Sequence, residues 1–136
     1  MEDSARIRWL RALLAGFLAE LVLVVVAVPV YMLPARATAL AVAMPPASFV
    51  VFAAFGYWAA RGAGARFAVH GLLTAVLGIL LYFVMMFGAL SIPGAPPIDY
   101  SAIFAPANLF AHALKLVGGT IGGVLAARVM RRGAGA

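Results

Sequence analysis

The chain has 136 residues, two thirds of them apolar and one tenth charged, with a net charge of +6 and no cysteine. A soluble domain carries roughly a quarter charged residues, and a water-soluble fold of this size could not hide so much apolar surface. One domain in a lipid bilayer is expected, and disulfides, thiolate metal sites and cysteine nucleophiles are excluded.

A span needs roughly 20 predominantly apolar residues. The first is expected over about 10–33, after Arg6, Arg8 and Arg11, with Trp9 at the interface and one charge, Glu20, inside. Pro29 is expected to kink its outer end and Pro34 to help end it. A basic start and Ala35-Arg36-Ala37 mimic a cleavable leader, but a secretory core is only about 7–15 residues long, so the segment is read as a retained span.

The second span is expected over about 38–60. It contains no charge, but Pro45-Pro46 lies within it, so the helix is either kinked there or begins there. Tyr57 and Trp58 mark its inner interface, and a tight basic loop from Arg61 to Arg66 follows. The third span is expected over 67–90, and the proline-rich stretch from Ser91 to Asp99 cannot continue it. The fourth is expected over 103–129, with Pro106 tolerated in a first turn, and the tail 131–136 is expected to be disordered. The fold class is therefore all-α, an integral membrane four-helix bundle.

Cytoplasmic loops of membrane proteins carry an excess of Lys and Arg. Arg6, Arg8, Arg11, Arg61, Arg66, Arg128, Arg131 and Arg132 fall on one side and only Arg36 on the other. This predicts a bacterial inner-membrane protein with both termini cytoplasmic. The basic residues cluster at span ends rather than in a stripe, so the partner they indicate is the lipid bilayer and not nucleic acid.

Glu20 and Lys115 are the charges inside spans, and a charge at mid-bilayer costs roughly 2.5–3.5 kcal/mol on insertion scales. Glu20 lies about 14 Å of helix beyond Arg11, and Lys115 about 20 Å before Arg128. A lysine stem covers the difference, so the two are expected to pair. Three readings stay open: a structural pair fixing register, groups that snorkel or neutralise, or a proton- or ion-coupled site.

On the fourth span Asn108, His112, Lys115, Gly119, Gly122 and Ala126 share one face, polar in its outer half and small in its inner half. Gly118-Gly119-Thr120-Ile121-Gly122-Gly123 holds two overlapping GxxxG spacings, which suit packing inside the bundle or a homo-oligomer seam. Ala12, Gly16 and Glu20 form a matching face on the first span, so spans one and four are expected to touch. Gly71, Thr74 and Gly78 make a further packing face on the third.

His70 and His112 are expected about 18 Å apart along the membrane normal, too far to share a metal or haem. His70 is read as an interface residue and His112 as a satisfied hydrogen-bonding one. Ser48, Ser91 and Ser101 have no evident base and orienter, and no carboxylate pair or phosphate loop appears. No catalytic residue, metal or cofactor is assigned, and an enzyme is not expected.

Gly56-Tyr57-Trp58-Ala59-Ala60-Arg61, His70-Gly71-Leu72-Leu73 and Leu114-Lys115-Leu116 leading into the glycine run resemble a family of small bacterial four-span membrane proteins of no assigned function. The resemblance covers half the chain and implies the four-span layout alone; Pro45-Pro46 departs from it. Leu18-Ala19-Glu20 is also similar to the first span of small multidrug transporters, which carry a proton-exchanging glutamate there. The strong charge bias and the absence of an aromatic-glycine motif in the third span depart from that pattern. The leading expectation is a non-enzymatic packing, assembly or scaffold subunit acting through spans one and four, as a homo-oligomer or with another membrane subunit. The alternative is a small proton- or cation-coupled transporter using Glu20.

Overall fold

A computed structural model of the chain describes residues 7–89, 93–94 and 100–133. Among them the chain forms α1 (Trp9–Tyr31), α2 (Arg36–Arg61), α3 (Phe67–Ala89), a single turn α4 (Tyr100–Ile103) and α5 (Pro106–Gly133), with no strand. The four long helices are each apolar and long enough to cross a membrane. The loop residues 91–92 and 95–99, together with Arg6, Glu2, Asp3 and the last three residues, lie outside the described part.

Several boundaries differ from the sequence reading. α1 ends at Tyr31, where the Met32 and Leu33 amides close a turn onto the carbonyls of Pro29 and Val30 at 3.2 and 3.1 Å. α2 starts at Arg36 and runs unbroken through Pro45 and Pro46, so the helix does not begin there. Membrane helices tolerate such interior prolines because neighbouring helices re-satisfy the freed backbone. Pro106 opens α5 at its first turn, with the Asn108 and Leu109 amides bonded to Ala105 O at 2.9 and 3.0 Å. At its other end α5 continues to Gly133, so Arg131 and Arg132 are helical where disorder was expected.

The interior is built from small side chains. Ala12, Ala15, Ala19, Ala59, Ala60, Ala75 and Ala126 are fully buried, while Leu10, Val25, Val42, Leu80, Val84 and Phe110 face outward. A soluble core has the reverse arrangement. In lipid there is no hydrophobic drive to hide leucine, and association rests on close backbone packing.

α5 packs chiefly on α2 and then on α3; α1 packs on α2 and α3, which also touch each other. The first and fourth spans touch as expected, but only through the Glu20 and Lys115 side chains; their small faces pack on α2 and α3 rather than on each other. The reason is that α5 spends both glycine rows on other neighbours. A Cβ on Gly118 or Gly122 would collide with the α2 backbone at Phe49 or Ala53, and one on Gly119 or Gly123 with α3 at Gly71 or Phe67. Gly56 completes the α2 contact, since a Cβ there would lie 2.7 Å from Gly119 O. The small face of α1 turns to α3, where a Cβ on Gly16 would lie 2.7 Å from Thr74 O and 2.9 Å from Gly78 N. Gly71 and Gly78 are equally hemmed in, the latter by the Phe52 ring.

All the described arginines but Arg36 gather at one end of the bundle. Arg11 donates from Nε to Ala59 O (3.2 Å) and from Nη2 to Trp58 O (2.9 Å), and its guanidinium sits 4.3 Å from the Trp58 ring centroid. The last carbonyls of a helix have no partner inside it, so α1 caps the C-terminus of α2 with a charge of favourable sign.

Candidate functional site

Glu20, on the fourth turn of α1, and Lys115, on the third turn of α5, meet across the bundle. Lys115 Nζ donates to Glu20 Oε1 at 2.6 Å, with both side chains at most 4% exposed. The two helices otherwise pack on α2 and α3, so this bond is a strut between them. Aromatic rings line its path: the ammonium lies 5.4 Å from the Phe52 centroid and 5.1 Å from that of Tyr82. Both distances are within cation–π range.

Beside the pair is a cavity of about 150 Å³, whose polar lining is Glu20, Ser48, Tyr82, Asn108, His112 and Lys115. Three buried polar atoms there have no hydrogen-bond partner: Ser48 Oγ and both ring nitrogens of His112. Buried polar groups in proteins are overwhelmingly paired, so three orphans on one cavity require an explanation. The expectation of a satisfied His112 is corrected; its ring instead lies edge-on to Tyr82, at 4.8 Å between centroids. Its position follows from helix spacing, three residues before Lys115 on the same face of α5.

The polar stripe read from sequence thus comes together in the N-terminal half of α5, joined by Ser48 and Tyr82 from other helices. The sequence reading weighed Ser48 only as a nucleophile and gave it no role, because its span carries no charge to partner it. The usable signal was its place one turn after Pro45, where α2 is already irregular in hydrogen bonding. Pro45 has no amide hydrogen for the Ala41 carbonyl four residues earlier. Ala41 lines a second crevice of about 360 Å³ with Arg36, Ala105 and Asn108. Asn108 borders both spaces, so the crevice and the cavity adjoin between α2 and α5.

His70 occupies a different place. It is 1% exposed, so the interface assignment is corrected to a buried one. Its Nε2 accepts the Arg8 backbone N–H at 3.0 Å, which requires the proton on Nδ1, and Nδ1 donates to Arg66 O at 3.0 Å. His70 thereby satisfies an unpaired amide at the start of α1 and ties it to the α2–α3 loop. His70 and His112 stand at opposite ends of the bundle, and no group of three His, Cys, Asp or Glu among the described residues could hold a metal ion.

No family model, curated protein or solved structure matches the chain.

Proposed function

We propose that this chain is a non-enzymatic inner-membrane carrier in which a small cation is exchanged for a proton at Glu20, with both termini cytoplasmic. The orientation rests on the arginine bias across the bundle ends. The observation that carries the function is the set of unpartnered acceptors, Ser48 Oγ and the His112 ring, on the cavity that also holds the Glu20–Lys115 pair. A hydroxyl oxygen, an imidazole nitrogen and a carboxylate are a suitable shell for a monovalent or organic cation.

The pair itself supplies the coupling. Glu20 and Lys115 sum to zero charge, and a dry site tolerates little net charge. A cation arriving at Glu20 replaces the Lys115 ammonium as counter-charge. One positive charge must then leave, and the mobile one is a proton of Lys115. That proton leaves through the polar-lined cavity, on whose border with the second crevice Asn108 stands. When the cation leaves, Lys115 takes a proton back and re-forms its bond to Glu20.

Purified protein in liposomes with an internal pH dye tests this with sodium, potassium and ethylammonium pulses. Counter-movement of protons for at least one of these ions, abolished by Glu20→Gln and weakened by Ser48→Ala, is the expected result. The absence of proton movement for all three, or equal movement in Glu20→Gln, would overturn it.

A second reading, a packing or assembly subunit, is favoured by the short bond that satisfies both charges. In that case the pair fixes the register of α1 against α5 and the partner is another membrane subunit or a second copy. The glycine rows are occupied inside the bundle, so assembly would use the outward Leu and Val faces.

A further inference from the structure

We infer that the lateral groove between the start of α3 and the end of α5 binds the phosphate headgroup of an anionic phospholipid. The groove has a volume of about 430 Å³ and is lined by Arg66, Arg128 and Arg131, with Phe67, Val69 and Val124 as its apolar wall. Three arginines, one from the α2–α3 loop and two from α5, line it together. The continuation of α5 to Gly133 sets Arg128 and Arg131 one turn apart on the same helical face.

Arg66 is fixed in the groove by its backbone. It has a left-handed φ of 50°, an uncommon conformation for a side chain of this size. Its carbonyl accepts from both the His70 amide (3.1 Å) and His70 Nδ1 (3.0 Å), which hold that conformation in place. The next residues, Phe67 to Val69, are the first turn of α3, whose amides have no partner within the helix. A helix N-terminus and converging arginines favour the same ligand, an anionic phosphate. Among the described residues no carboxylate competes, since the one acidic side chain there, Glu20, is held by Lys115.

The apolar wall decides between a lipid and a free anion. Val69 and Val124 are 42% and 36% exposed, so the basic pocket continues into the outward apolar surface of the bundle. An acyl chain can follow that surface while the headgroup stays among the arginines. Basic pockets between spans on the cytoplasmic side are suited to anionic headgroups. The site is separate from the Glu20 cavity and does not depend on its function.

The test uses the full chain in detergent, with thermal unfolding and lipid retention on washing as two readouts. Phosphatidylglycerol is expected to raise the unfolding midpoint and to remain bound, while phosphatidylcholine and inorganic phosphate do neither. The triple variant R66Q/R128Q/R131Q should lose at least tenfold in phosphatidylglycerol affinity. The double variant R128Q/R131Q changes only exposed side chains, so it keeps the fold and should lose most of that effect. Equal binding of phosphatidylcholine, the same stabilisation by inorganic phosphate alone, or unchanged phosphatidylglycerol affinity in the double variant would each overturn the inference.

Discussion

At the scale of single residues, two buried polar contacts make opposite demands on the chain. Glu20 and Lys115 each have a charge that only the other compensates. Removing one partner of a buried pair leaves an isolated charge and typically costs about 3–5 kcal/mol, whereas removing both is far milder. Glu20→Gln and Lys115→Gln should each lower the unfolding midpoint in detergent, and the double variant should recover most of the loss. Additive effects in that cycle would show that the two charges do not depend on each other. His70 makes a neutral contact instead. Its substitution by Phe fills the volume but leaves the Arg8 amide without its partner, while the Arg66 carbonyl keeps only the bond from the residue 70 backbone amide. An unsatisfied buried group costs about 1–3 kcal/mol, so His70→Phe should destabilise by that order. Faster hydrogen exchange at the start of α1 would locate the loss.

At the scale of helices, glycine has two distinct roles, and neighbouring space distinguishes them. Gly56 faces Gly119 so closely that an added Cβ would sit 2.9 Å from the Gly119 Cα. Neither backbone can yield without moving a helix. Gly56→Ala should therefore lower the unfolding midpoint clearly. Gly88, near the end of α3, has open space around it. There alanine only removes the entropic cost of glycine, so Gly88→Ala should be neutral or stabilising by up to about 1 kcal/mol. Parallel thermal melts of the two variants check the pair. If both behaved alike, the close approach of α2 and α5 would be wrong. The proline pair belongs to this scale too. α2 stays helical through it, yet Pro45 leaves the Ala41 carbonyl without its usual donor at the level where the second crevice meets the cavity.

At the scale of the whole molecule, the arginine-rich half is closed by backbone contact among α2, α3 and α5, while the opposite half contains the cavity and its crevice. Access should therefore be one-sided. The chain has no native cysteine, which makes single-cysteine labelling clean. Ala41→Cys, exposed on the crevice, should react with a membrane-impermeant thiol reagent applied from outside intact cells, and Ala60→Cys, fully buried at the arginine-rich end, should not. Arg132→Cys should be protected until the cells are opened. Labelling of Arg132→Cys from outside would reverse the proposed orientation, and protection of Ala41→Cys would remove the outer route.

The sequence by itself determined the solvent and the number of long helices. Those properties are sums over local composition, and a run of about 20 apolar residues needs no knowledge of its neighbours. It also brought Glu20 and Lys115 to comparable depth, because the rise per residue of a helix is fixed. Only the tertiary structure decided which helices touch. Small faces on α1 and α5 look complementary in one dimension, but each found α2 and α3 instead, since a glycine row states that a backbone approaches and not whose. The same limit hid the place of Ser48 and left His112 misread. Whether a polar atom has a partner depends on side chains from other helices, so the cavity they share exists only in the assembled bundle.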